Sequence, residues 1–115
     1  MAGSINSIQK LFEEQVASLR EDHFLVLYWA AQAEGKGCRY NLTNGFDDLK
    51  HAGITRTKQT AVAVAEALKV LRFIDIRDEG NRKNVYITTH GAKALEAMVL
   101  KGAYAPKKSV FLEGR

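Results

Sequence analysis

The amino-acid sequence predicts a mostly helical α+β domain, and three observations predict it. Residues from about 57 to 71 carry alanines at 61, 63, 65 and 67 and place their apolar side chains at helical spacing. Two strand-forming runs follow directly, Phe73-Ile74-Asp75-Ile76 and Val85-Tyr86-Ile87-Thr88. Between them lies the turn Asp78-Glu79-Gly80-Asn81, in which Gly80 and Asn81 tolerate positive φ. The flanks of that turn hold Arg77, Arg82, Lys83 and Asn84, none of which a hairpin needs for its own cohesion. An apolar helix that feeds a basic hairpin is how a winged helix-turn-helix is built. The full pattern is α-α-β-α-α-β-β-α, with helices flanking the module at both ends.

Each element has its own local signals. Residues 4–20 set Ile5, Ile8, Phe12, Val16 and Leu19 on one stripe, with Ser4 as a plausible N-cap and Gln9, Lys10, Glu13, Glu14 and Gln15 opposite. Asp22 can cap a second helix, His23 to about Ala33. Its run Phe24 to Ala31 is apolar on all sides, which places it at the centre of the fold. Gly35 and Gly37 end it, and Cys38-Arg39-Tyr40 suits a very short strand. Thr43 can cap a third helix over residues 44–52, with Phe46 and Leu49 inward and Gly53 closing it. The fourth begins at Thr55 or Thr57, and its inward face is Ala61, Val64/Ala65, Leu68 and Leu71. After the hairpin, Thr88 or Thr89 caps a last helix over residues 91–100, with Leu95, Met98 and Val99 as its apolar stripe and Gly102 at its end. The chain thus divides into an N-terminal amphipathic dimerisation helix (1–20), a winged-helix domain (21–102) and a basic C-terminal tail (103–115) holding Pro106 and the pair Lys107-Lys108.

Composition narrows the function classes. A chain of 115 residues, 46% apolar and 26% charged, suits one folded domain rather than a disordered one. The single Cys38 excludes an internal disulfide and fits the reducing cytoplasm. The run Phe24–Ala31 falls far short of the roughly 20 residues that span a bilayer, and no basic segment follows Met1, so neither a membrane anchor nor a signal peptide is expected. Charge is unevenly spread. Residues 1–34 hold two Lys/Arg against five Asp/Glu, a net −3, whereas residues 35–115 hold fifteen against eight, a net +7. The later part of the chain therefore faces an anion.

The candidate contacts lie at the start of the fourth helix and on the hairpin. Thr55-Arg56-Thr57-Lys58-Gln59-Thr60 opens the helix, and the N-terminal turns of a groove-bound helix present side chains to base edges. Arg and Lys meet guanine or phosphate, Gln pairs with adenine, and Thr donates to phosphate oxygens. If the helix starts at Thr57, then Lys58, Gln59, Val62 and Ala63 face the groove. Arg82 and Lys83 can reach the minor groove or the backbone, and Arg56, Arg77 and Asn84 can touch phosphates. The expected partner is double-stranded DNA. Other features are weaker. His23, His51 and His90 are far apart and lack metal-ligand spacing, so no metal or other cofactor is expected. Tyr28, Trp29 and Tyr40 fit core packing better than a ligand pocket, and nothing supports a small-molecule effector. No convergent acid, base and nucleophile point to an enzyme.

The span from about residue 42 to 91 resembles the winged-helix domain of the MarR-type transcriptional regulators and their small relatives. The resemblance rests on Leu42-Thr43 with Phe46 and Leu49, on Gly53-Ile54-Thr55-Arg56 as the turn, and on Ala67-Leu68-Lys69-Val70-Leu71-Arg72-Phe73-Ile74 as the passage into the wing. The wing itself follows in residues 77–88, with Gly91 after it. Many members carry Gly immediately before the Leu/Phe-Ile, where this chain has Arg72, and the span Ile54 to Ile74 is about two residues longer than usual. The resemblance implies a homodimeric DNA-binding regulator whose outer helices meet across a two-fold axis. The stripes Ile5/Ile8/Phe12/Val16/Leu19 and Leu95/Met98/Val99 are the expected interface. Two other readings fit the same fold, a protein–protein adaptor and a plasmid- or phage-type replication or partition protein.

Overall fold

The helix that the sequence makes apolar on every side is the centre of the molecule. In the computed structural model, which describes the backbone from Ala2 to Arg115 and side chains from Ser7 onward, this helix is α2 (Glu21–Gly35). Phe24, Leu25, Leu27, Trp29 and Ala30 are completely buried. The helix touches α3 (Leu42–His51), α4 (Lys58–Val70), β3 (Arg82–Ile87) and α5 (Thr89–Lys101). It begins earlier than its apolar pattern suggests. Arg20, not Asp22, is the N-cap, and His23 Nδ1 accepts the Arg20 backbone N–H at 3.0 Å. Burial holds the His23 pKa below its usual value, in keeping with a neutral ring acting as acceptor.

Helix boundaries follow caps that apolar spacing does not reveal. Asn41, rather than Thr43, caps α3. Its Oδ1 accepts the Asn44 N–H at 2.8 Å, and Asn44 Oδ1 accepts the Asn41 N–H at 3.1 Å. Thr57 caps α4 by accepting the Thr60 N–H at 3.2 Å, which settles the start at the later of the two threonines. Helices α2, α3 and α4 all end in one geometry. A residue with positive φ follows the C-cap, and the next N–H returns five residues: Cys38 to Ala33, Ile54 to Leu49, Phe73 to Leu68. Gly37 and Gly53 take the left-handed position in the first two. In the third it is Arg72, at φ 65°.

The sheet is small and antiparallel, in the order β1-β3-β2, with β1 (Tyr40–Asn41) and β2 (Ile74–Glu79) on either side of β3. Hairpin pairing runs from Ile74 opposite Ile87 to Glu79 opposite Arg82. Only Gly80 and Asn81 remain in the turn, so Arg82 and Lys83 belong to the strand. Thr88 caps α5, and Gly91 in its first turn lies against the Phe73 carbonyl so closely that a Cβ there would sit 1.8 Å from the oxygen. A side chain at 91 would push α5 off the joint between α4 and the wing.

The two ends of the chain differ from expectation. The presumed basic tail folds back and adds a short helix, α6 (Val110–Glu113). Trp29 Nε1 donates to the Lys107 carbonyl at 2.7 Å, and buried Asp48 accepts the Ser109 hydroxyl, the Phe111 N–H at 3.2 Å and the Tyr40 hydroxyl at 2.6 Å. Desolvation, then the hydrogen bond to Asp48, keeps the Tyr40 phenol protonated well above its usual range. At the other end, α1 (Ala2–Ala17) starts early enough that Ser4 lies inside it rather than at its cap. Val16 and Leu19 enter the chain's own core, and Phe12 rests on the rings of Phe73 and His90. Met98 is buried and Leu95 half-buried against the same core. These residues of the expected dimer stripe are therefore used within the chain. Ile8 (70% exposed), Leu11, Val99 and Leu100 (80% exposed) remain outside, and the Ile5 side chain lies outside the described residues.

Candidate nucleic-acid interface

Three elements converge on one side of the molecule: the first turn of α3, the length of α4 and the tip of the β2–β3 hairpin. A cleft of about 360 Å³ lies between them, lined chiefly by Lys58, Val62 and Glu66 of α4 and Asn81, Arg82 and Lys83 of the hairpin. Lys58, Val62 and Glu66 are spaced by four and form one stripe along the helix. Arg56, Lys58, Gln59, Thr60 and Ala63 are all exposed. The Thr57 and Thr60 hydroxyls lie 2.8 Å apart, and the Thr57 oxygen also accepts the Thr60 N–H, so both serve the cap. Thr55 is the first departure from the expected contact set. It is buried in the turn, its Oγ1 accepting the Thr57 N–H and donating to the Thr57 carbonyl, each at 3.3 Å.

The hairpin divides its polar residues by role. Residues directly opposite one another across an antiparallel pair share a face, so Asp75, Arg77 and Glu79 stand with Tyr86, Asn84 and Arg82. Most of that face is internally satisfied. Arg77 Nε donates to Asp75 Oδ2 at 2.9 Å, its guanidinium lies 4.4 Å from the Tyr86 ring centroid, and the Asp75 hydrogen bond raises its pKa. The Glu79 carboxylate accepts the Tyr86 hydroxyl and Asn84 Nδ2, and these bonds, that of Tyr86 first, hold its pKa below the usual range. Asn84 is thus the second departure. It is 2% exposed and its Nδ2 donates to Glu79, so in this structure it braces the wing from within, with its Oδ1 buried and without a partner among the described residues. Arg82 and Lys83 are exposed and make no ion pair among the described residues.

Reading the sequence missed two parts of this face. Glu66 was hidden because periodicity marks it only as a polar outward position. Asn41, Leu42 and Thr43 also border the cleft, where apolar spacing suggests only a cap at Thr43. Among the described residues no three His, Cys, Asp or Glu are grouped to hold a metal ion, and no helix is long and apolar enough to cross a membrane.

No family model matches the chain, and no curated protein is similar enough in sequence to match it. Two solved structures share its fold. One is a MepR variant from S. aureus bound to an oligodeoxyribonucleotide, at 16% identity and a TM-score of 0.62, covering 87% of this chain and 74% of that one. The other is BpsR from Bordetella bronchiseptica, solved in work on regulation of its DNA binding by 6-hydroxynicotinic acid, at 20% identity and a TM-score of 0.54, covering 83% and 70%. With six helices and a three-stranded antiparallel sheet among its described residues, the chain has the winged-helix fold of these neighbours, the fold that its motifs resemble.

Proposed function

We propose that this chain is a DNA-binding transcriptional regulator that works as a homodimer, with the start of α4 in the major groove and the β2–β3 wing on the flanking minor groove or backbone. The observation that carries this reading is the pair of unpaired cations at the wing tip, Arg82 and Lys83, bordering the same cleft as Lys58. Three cations on the rim of this cleft suit DNA phosphates on either side of the groove that α4 enters. Lys58, Gln59, Thr60 and Ala63 then face base edges, and Arg56 lies beside them for a phosphate. Arg77, held by Asp75 and Tyr86, supports the wing and contributes little direct contact. The double variant Arg82→Ala/Lys83→Ala should lower affinity for duplex DNA. It should also reduce the slope of log affinity against log salt by about two per subunit, near one for each lost phosphate contact. Salt-titrated gel shifts giving the same slope for both proteins would remove the wing from the interface.

The dimer reading rests on apolar side chains left uncovered. Phe12 lies beside His90, and the Leu19 carbonyl is 3.5 Å from the Tyr104 hydroxyl beyond the end of α5, so α1 and α5 run in the same direction. Ile8 and Leu11 are therefore near one end of the pair and Val99 and Leu100 near the other. A two-fold axis would bring the first patch of each copy onto the second patch of its partner, covering both at once. Such a dimer would read half-sites about 10 bp apart.

A protein–protein adaptor is favoured by one observation. Val62, Ala63 and Val70 (77% exposed) give the outer side of α4 an apolar character unusual for a nucleic-acid surface. That reading requires negligible duplex affinity at low salt, which the same gel shifts measure.

A further inference from the structure

We propose that Glu66 is a sequence-reading residue of α4, accepting a hydrogen bond from the N4 amino group of a cytosine. The inference rests on the DNA-binding reading above. Glu66 is exposed on the cleft stripe two turns beyond Lys58, and among the described residues it has neither an ion pair nor a side-chain hydrogen bond. Lys69, one turn further on, makes no ion pair with it. Among the described residues the carboxylate has no visible intramolecular role, although it lines the same cleft as Arg82, Lys83 and Lys58.

A carboxylate accepts hydrogen bonds and donates none, so against DNA it repels phosphates unless it meets a donor. In the major groove the donors are the amino groups of cytosine and adenine. Adenine sets its N6 donor beside the N7 acceptor, which suits an amide and opposes a second acceptor. Cytosine N4 carries no acceptor on its own edge, so the carboxylate selects cytosine. The position along the helix agrees. Glu66 lies about 12 Å from Lys58 at 1.5 Å per residue, which is three to four base-pair steps. The surface between them offers Val62 and Ala63, which cannot hydrogen-bond a base. The preferred cytosine should thus stand three to four positions from the base pair met by Lys58 and Gln59.

Selection of bound sequences from a random duplex pool, run on the unaltered protein, Glu66→Gln and Glu66→Ala, tests this. The unaltered protein should enrich cytosine at one position per half-site, roughly tenfold over other bases. Glu66→Gln should move that preference to adenine, and Glu66→Ala should erase it while other positions keep theirs. If both variants bind every sequence more tightly with unchanged preferences, Glu66 only repels phosphate and the inference is overturned. If the unaltered protein binds no duplex at all, the DNA-binding reading falls and this inference with it.

Discussion

Arg72 marks the joint between α4 and the wing, and it holds the left-handed conformation that glycine adopts most cheaply. Its N–H reaches the Lys69 carbonyl at 2.9 Å and its carbonyl accepts the Thr88 hydroxyl at 2.6 Å, so the backbone here ties the end of α4 to the cap of α5. The strain is carried because both bonds and the adjoining Phe73 depend on it. A left-handed L-residue costs about 1–2 kcal/mol, partly offset in a glycine variant by extra freedom of the unfolded chain. Arg72→Gly should therefore stabilise the protein by up to about 1 kcal/mol, read as a higher urea midpoint at unchanged slope. A lower midpoint would mean that the Arg72 side chain, rather than its backbone, secures the joint. The residue that departs from the pattern of the regulators this chain resembles thus keeps the left-handed geometry that glycine would give there.

Among the elements, the C-terminal segment carries a structural role that its composition conceals. Lys107 and Lys108 suggest a solvated basic tail, yet Trp29 holds the Lys107 carbonyl and Leu112 is buried. Asp48, 1% exposed, is the anchor, serving Tyr40 from β1, Ser109 at the cap of α6 and Phe111 within α6. Removing the acceptor leaves buried donors without partners, at about 1–3 kcal/mol for each. Asp48→Ala should destabilise the domain by at least that amount, and it should free the C-terminal segment first. Early amide exchange at residues 109–113, ahead of α2, is the expected signature. Uniform loss of protection would show that the segment is not a separable unit. Because α3 holds Asp48 and also borders the cleft, this clamp braces the helix behind the candidate interface.

At the scale of the whole molecule, the outer helices are shared between two demands. Phe12, Val16, Leu19 and Met98 close the chain's own core, and Ile8, Leu11, Val99 and Leu100 stay exposed, where the proposed dimer would cover them. Light scattering should give the mass of two chains for the unaltered protein. Leu100→Glu, which sets a charge at the edge of the proposed contact, should give the mass of one with the fold retained. One chain in both cases would end the dimer reading. Pseudo-palindromic enrichment in the selection described above would follow from the same symmetry.

The sequence alone determined the five main helices and the hairpin strands, because apolar periodicity acts over a few residues, but not α6 or the caps at Arg20 and Asn41. The α4 inward face Ala61, Val64, Ala65 and Leu68 and the helix-ending glycines 37 and 53 are local facts and stand in the structure as read, whereas the wing turn shrinks from residues 78–81 to Gly80 and Asn81. Tertiary structure decided which side chains are free. Thr55 and Asn84 are polar by type yet spent internally, Val16 and Met98 are apolar but already covered, and residues 103–115 are basic in composition but anchored on a carboxylate 61 residues away for Ser109. Those outcomes depend on neighbours distant in the chain, and local pattern carries no record of them. The same holds for Glu66. Its spacing marks it only as outward-facing, and the folded wing is what sets it in a cleft with three cations.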